Sequence, residues 1–329
     1  MKEILEHLYQ HKTLSKTEAK SILRDIAAGK YNHSQIASFL TAFIMRNITI
    51  DELKGFREAL LELCNRVNLS EYKAMDVCGT GGDGKNTFNI STLASFVVAG
   101  AGIPVAKHGN YGVSSISGSS NVLEQLVVTF QTEEPKLKQQ LDKANICFLH
   151  APLFHPAMKF VAPVRKELGV KTFFNMLGPL VNPAQPKIQI AGVFSMELAR
   201  IYQYLFQEED LQYTIIHALD GFDEVSLTST CKLYSNHEEK IVSASYFGYS
   251  TVRLEQINGG ETLEDAAEIF MKIIQGNGSR AQNEVVLANA ALAIQTNQDI
   301  EISEAMEIAK DSLFGLKALQ SLNALKQLS

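Results

Sequence analysis

The sequence predicts an α/β protein with a small all-helical N-terminal domain and a larger domain built on a mostly parallel central sheet flanked by helices. Three observations predict it. Within the first seventy or so residues, three capping-box patterns each precede an apolar helical repeat. From Ala74 onward, short apolar runs end in glycine or polar residues and lead into helical stretches, the alternation of a parallel sheet. The chain has 329 residues, 46% hydrophobic and 20% charged, which suits one large domain and one small one.

The capping boxes run from Ser15 to Glu18, Asn32 to Gln35 and Thr49 to Glu52. Ile22, Leu23 and Ile26 share one face of the first helix, which Gly29 stops, and Ile36, Phe39, Leu40 and Phe43 share a face of the second. The expected strands are Ala74–Cys78, Pro104–Lys107, Ile146–Leu149, Gln189–Val193 and Tyr213–His217. His155–Pro179 interrupts the alternation with a helix, a stop at Leu168-Gly169 and the run Phe173-Phe174-Asn175-Met176-Leu177-Gly178-Pro179, which reads as a crossover. The expected division is a helical domain over 1–70, rejoined by 155–180, and an α/β domain over 71–154 and 181–329. Ala288, Ala290, Ala291 and Ala293 mark a closely packing helix, and Gly259-Gly260 a turn.

The formal net charge is -6 and the basic residues are scattered, so no field exists that would draw nucleic acid or an anionic membrane surface. Cys64, Cys78, Cys147 and Cys231 stand far apart with no zinc-type spacing, which argues against a disulfide framework and for a reducing compartment. Lys2, Glu3 and Glu6 leave no room for an apolar leader, and no apolar stretch approaches the length of a membrane span. A cytoplasmic protein with no membrane partner is the expectation.

In parallel sheets, active groups gather at the carboxyl ends of the strands. After the first strand comes Gly79-Thr80-Gly81-Gly82-Asp83-Gly84, then Thr87, Asn89, Ile90, Ser91 and Thr92, opening a helix to about Gly100. Glycines let backbone N–H groups approach an anion, and the helix N-terminus adds about half a positive charge. A bare strand-to-helix turn is the plain alternative; four glycines in six residues beside Thr, Asp and Ser disfavour it. Gly79, Gly81 and Gly84 also satisfy the GxGxxG dinucleotide fingerprint. A nicotinamide site would want an acid at the end of the second strand, whereas this one ends in Lys107-His108, and a cation suits phosphate.

The second strand leads into Lys107-His108-Gly109-Asn110 and then Ser114, Ser115, Ser117, Gly118, Ser119 and Ser120. An ammonium, loop amides and a row of hydroxyl donors can wrap a diphosphate. Taken alone, the segment could be a serine-rich surface loop. Asp223-Glu224 follows the fifth strand as a pair of hard oxygen ligands, although acidic pairs are more often solvated. Arg165, on the crossover helix, would by itself read as a surface arginine.

Asp-Val-Cys-Gly-Thr-Gly-Gly-Asp at 76–83, Asn-Ile-Ser-Thr at 89–92, Lys-His-Gly-Asn at 107–110 and Gly-Ser at 118–119 resemble the anthranilate phosphoribosyltransferase family, of the nucleoside phosphorylase/phosphoribosyltransferase fold. The likeness continues through Phe174-Asn175, Leu177-Gly178-Pro179-Leu180, Asn182-Pro183 and Asp223-Glu224, so it spans nearly the whole chain. It implies transfer of a 5-phosphoribosyl group from phosphoribosyl diphosphate to the amine of anthranilate, in tryptophan biosynthesis. It also implies a homodimer, a site in the cleft between the domains, and Mg²⁺, two ions per subunit. Carried over position by position, Gly79, Gly82, Asp83, Thr87, Asn89, Ile90, Ser91, Thr92, Lys107, Ser115 and Ser119 would contact phosphoribosyl diphosphate. Asn110, Arg165 and the Gly79 backbone would contact anthranilate. Asp223, Glu224 and Ser91 would hold the metal. Lys107, His108 and Asn110 are the catalytic candidates, with His108 positioning the amine in preference to acting as general base.

Three residues depart from the family pattern: Asn121 where Asp is common, Tyr111 where Arg is frequent, and Lys171 where Arg often stands. They put substrate contacts in question more than reaction class. A pyrimidine nucleoside phosphorylase shares the fold and glycine loop; Asp83 and Asp223-Glu224 favour the magnesium enzyme over it. A non-catalytic nucleic-acid-binding relative is disfavoured by the acidic balance.

Overall fold

In the computed structural model, which describes residues 1–112 and 116–329, all three capping boxes close. Ser15 Oγ accepts from the Glu18 N–H at 3.3 Å, and Glu18 Oε2 accepts from the Ser15 N–H at 2.8 Å. The helices they start are Lys16–Ala27, His33–Ala42 and Ile50–Leu63, preceded by Lys2–Tyr9. Their buried faces carry the residues the spacing selects: Ile22, Leu23 and Ile26, then Ile36, Phe39 and Leu40.

These helices belong to a unit formed by Met1–Arg66 and Ala151–Pro183. In its second stretch, helix Ala162–Leu168 stops at Gly169, whose φ of 63° is the left-handed conformation that glycine adopts without strain. Phe173 then enters an aromatic core: it stacks on Phe56 at 4.3 Å and meets Phe43 edge-on at 5.2 Å. Glu52 is fully buried in the same unit, held by Arg46 Nη1 at 2.9 Å and by the Leu14 N–H at 2.8 Å.

The second unit, Val67–His150 with Ala184–Ser329, contains a seven-stranded sheet. Its strands are β1 (Met75–Gly79), β2 (Val105–Gly109), β3 (Ile146–His150), β4 (Ile188–Gly192), β5 (Gln212–Ala218), β6 (Cys231–Ser235) and β7 (Glu239–Val242), in spatial order β3-β2-β1-β4-β5-β6-β7. β1 to β5 are mutually parallel and lie within one or two residues of the expected runs; β6 and β7 add an antiparallel edge that the sequence reading did not single out. Helix Arg280–Gln298, with its buried Ala288, Ala290, Ala291 and Ala293, packs in the core with Ile90–Gly100. β2 and β3 are laid down on one side of β1 and β4 to β7 on the other, so the strand order reverses at β1, and a crevice at such a reversal is where open α/β sheets take ligands. The carboxyl ends of β1, β2 and β4 lie side by side there. Among the described residues, no helix is long and apolar enough to cross a membrane.

Candidate active site

At the carboxyl end of β1 the chain leaves the sheet through the glycine loop, whose first amide stays tied to β4: the Thr80 N–H donates to the Gly192 carbonyl at 2.9 Å. Gly81 and Gly82 then take positive φ, 61° and 72°. The segment Phe222-Asp223-Glu224 crosses directly over this corner. A Cβ on Gly79 would lie 2.5 Å from Asp223 Oδ2, and a Cβ on Gly192 would overlap the Asp223 carbonyl oxygen. Glycine at both strand ends is therefore what admits the acidic segment.

Each carboxylate is fixed by a backbone amide of the glycine loop or the helix it opens. Asp223 Oδ2 accepts from the Gly81 N–H at 2.7 Å, and Glu224 Oε1 accepts from the Ser91 N–H at 2.8 Å in the first turn of helix Ile90–Gly100. Glu224 thus meets the positive end of that helix, a place where an anion is favoured. Asn89 occupies the N-cap position but its side chain does not cap; its amide donates to the Ser117 carbonyl at 3.0 Å instead. Burial, and then the neighbouring Asp83, push the Asp223 carboxyl up to about 6, against the pull of the Gly81 N–H. Burial and then Asp223 hold Glu224 well above the usual carboxylate range. Two adjacent carboxylates with raised affinity for a proton are equally prepared for a cation.

Lys107, 2% exposed, reaches back from β2 so that Nζ donates to the Val77 carbonyl at 2.5 Å, and its charge draws Asp223 and Glu224 downward. The His108 N–H donates to Asp76 Oδ1 at 3.2 Å; both side chains are buried. Asn110 is braced by the next helix, Ser119–Gln125: its N–H donates to Ser119 Oγ at 3.2 Å, and its carbonyl accepts from Ser119 Oγ at 3.2 Å and from the Ser120 N–H at 3.1 Å. Asn110 Oδ1 accepts from the Tyr111 N–H at 2.8 Å.

Gly79, Gly82, Asp83, Thr87, Asn89, Ile90, Ser91, Thr92, Lys107, His108, Asn110, Ser119, Asp223 and Glu224 all fall within the α/β unit, on the β1 and β2 ends, the loops that follow β1, β2 and β5, and the first turns of helices Ile90–Gly100 and Ser119–Gln125. Ser115 lies outside the described residues. Arg165 belongs to the helical unit, where Nη2 donates to Asn175 Oδ1 at 3.3 Å, the guanidinium stands 5.5 Å from the Phe174 ring centroid, and burial lowers its proton affinity.

The departures have physical consequences. Asn121 Oδ1 accepts from the Gly112 N–H at 2.9 Å and the Gly118 N–H at 3.0 Å, so it keeps the acceptor that an aspartate would present without its charge. Tyr111 donates its hydroxyl to Glu124 at 2.8 Å and meets the His150 ring edge-on at 4.8 Å. Lys171 is exposed.

From the sequence, Gly259-Gly260 reads only as a turn. That turn clamps the outer side of the glycine loop: the Gly259 N–H donates to the Asn86 carbonyl at 2.8 Å and Asn86 Nδ2 to the Gly260 carbonyl at 2.7 Å, while Thr87 bridges Asn258. Asp76 was likewise part of a motif without a role; an acid inside an apolar strand run was the available signal.

A model of the glycosyl transferase family, a/b domain, matches residues 71–318, and one of its helical bundle domain matches residues 2–64. The chain is 59% identical over 329 residues to the anthranilate phosphoribosyltransferase of Flavobacterium johnsoniae, covering 100% of both chains. It is 50% identical over 330 residues to that of Bacteroides fragilis, again covering 100% of each. Among solved structures, the enzyme of that name from Thermus thermophilus is similar with a TM-score of 0.90, at 29% identity over 98% of each chain. The Saccharomyces cerevisiae enzyme in complex with PRPP and Mg is similar with a TM-score of 0.90, at 27% identity over 98% of this chain and 96% of that one.

Proposed function

The chain belongs to the anthranilate phosphoribosyltransferases, pentosyltransferases of this glycosyl transferase family, and from that premise we propose how its own residues carry out the reaction. The substrates are phosphoribosyl diphosphate and anthranilate, and the product supplies tryptophan biosynthesis. The observation that carries the reading is the pairing of Asp223 and Glu224 with the amides of Gly81 and Ser91. It puts acidic ligands and anion-binding amides on the same loop.

The donor's diphosphate lies on the loop amides around Gly79, Gly82 and Asp83 and at the N-terminus of helix Ile90–Gly100, with Thr87, Asn89, Ile90, Ser91, Thr92, Ser115 and Ser119 completing its contacts. Asn110, Arg165 and the Gly79 backbone orient anthranilate. Arg165 offers a planar fork that suits a carboxylate, and its hold on Asn175 sets the plane of that fork. His108 positions the amine. The loop amides meet the charge that builds on the leaving diphosphate as the ribose C–N bond forms and the C–O bond breaks, and Lys107, buried with Nζ on the Val77 carbonyl, adds its positive charge from within the sheet. An aromatic amine attacks as its free base, so alignment of two bound substrates supplies most of the acceleration, and no covalent nucleophile on the chain is needed.

The donor set fits Mg²⁺. Asp223 and Glu224 are hard oxygen ligands whose raised proton affinity marks a negative site that Lys107 and the Gly81 and Ser91 amides only partly offset, and the Ser91 hydroxyl would join them. Bound magnesium supplies charge neutralisation of the departing diphosphate. Two ions per subunit, a homodimer and a cytoplasmic location complete the reading; exposed Tyr9, Ile44 and Met45 on the helical unit support self-association.

Mixing the protein with phosphoribosyl diphosphate, Mg²⁺ and anthranilate and following the loss of anthranilate fluorescence tests this directly. Consumption of anthranilate is the expected result. Inert anthranilate together with phosphorolysis of a pyrimidine nucleoside would replace the assignment with its nearest rival.

A further inference from the structure

We propose that Lys85 is an additional phosphate-binding residue of the donor site, a second ammonium in addition to Lys107 that recognises the anionic oxygens of phosphoribosyl diphosphate. The inference rests on the reading above.

Lys85 sits on the outgoing limb of the glycine loop. Its own N–H donates to Asp83 Oδ1 at 3.0 Å, a tight side-chain turn that fixes the backbone from which its side chain departs. Nζ stands 4.9 Å from the centroid of the Phe222 ring. Phe222 is itself buried and immediately precedes Asp223 and Glu224. The ammonium is thus held by an aromatic face on the segment that carries the acidic pair, yet no carboxylate among the described residues pairs with it.

That arrangement is uneven in charge. Asp83, Asp223 and Glu224 bring three carboxylates to the loop, whereas Lys107 is sealed in the sheet with one donor committed to the Val77 carbonyl. Lys85 is partly exposed, and its three donors face no acceptor of opposite charge among the described residues. A ring face holds a cation in place without consuming its hydrogen bonds, so the ammonium stays available to an anion lying on the neighbouring amides. A plain packing role would need only the aliphatic stem of Lys85 on Phe222, and methionine reproduces that stem without the charge.

The test compares wild type with Lys85→Met and Lys85→Arg by titration calorimetry with inorganic diphosphate and with phosphoribosyl diphosphate, alongside steady-state kinetics and thermal melting. Lys85→Met should weaken both ligands about tenfold, by a margin that shrinks as ionic strength rises. It should leave the anthranilate KM and Tm unchanged, and Lys85→Arg should retain wild-type affinity. Unchanged diphosphate affinity in Lys85→Met, or a matching fall in Tm, would overturn the proposal. Lys85-dependent diphosphate binding by a wild type that ignores anthranilate would support Lys85 while removing the assigned acceptor.

Discussion

The carboxylate of Asp223 occupies the space that any side chain on Gly79 would need: a Cβ there would come within 2.5 Å of Oδ2. Gly79→Ala should therefore displace the acid before it disturbs the sheet, lowering turnover steeply while costing about 1–3 kcal/mol of stability. Gly192→Ala should be worse, because its Cβ meets the Asp223 backbone oxygen, which cannot rotate away. Parallel melting curves and turnover measurements check the ranking; equal stability of the two variants would contradict it.

The acidic pair sets a dependence on pH. Burial and the neighbouring Asp83 push the Asp223 carboxyl up to about 6 from an ordinary 3.8. The folded state then holds the proton more tightly than the unfolded one, so stability is highest below about pH 4 and declines as pH rises through about 6. Replacing Asp223 by Asn and Glu224 by Gln keeps an oxygen acceptor for the Gly81 and Ser91 amides and removes both charges. The double variant should be inactive and melt roughly 5 °C higher at neutral pH. Mg²⁺ should raise the Tm of wild type more at pH 8 than at pH 5, since protons and the cation compete for the same oxygens. A double variant less stable than wild type at pH 8 would refute this account.

Arg165→Ala removes the fork offered to the acceptor's carboxylate. The anthranilate KM should rise about tenfold or more, with a smaller change for phosphoribosyl diphosphate. Equal effects on both substrates would contradict its role.

In the helical unit, Glu52 is fully buried, and burial pushes its carboxyl up; Arg46 and the Leu14 and Thr49 amides outweigh that and leave it lowered. Glu52→Ala strands a guanidinium and two amide donors. It should cost about 3–5 kcal/mol, and Glu52→Gln clearly less, as measured by denaturant unfolding.

The helices and parallel strands were legible because each rests on a local signal: capping boxes at Ser15, Asn32 and Thr49, and apolar runs before glycine. β6 and β7 were not, since Cys231–Ser235 and Glu239–Val242 are short and draw their order from pairing with β5 and with each other, not from a pattern of their own. In the site, the placement of the Gly79 loop and Lys107 at strand ends was legible, because each follows an apolar run. Asn258-Gly259-Gly260 was not, because its meaning lies in Asn86, which Gly260 meets across 174 residues of chain. The raised proton affinity of Asp223 was equally hidden, for burial is a property of the fold and leaves no mark in the acid's own neighbours.

The aromatic core of Phe39, Phe43, Phe56 and Phe173 draws on two stretches of chain separated by the first half of the sheet. On a ribosome, the first three rings emerge long before the fourth. The N-terminal helices must wait with an unfilled apolar face while β1, β2 and β3 are being made, and β4 to β7 follow only after Phe173 has arrived. Neither unit can be completed before synthesis of the other has begun, so a nascent chain halted between Val67 and His150 would hold two partial cores and expose both.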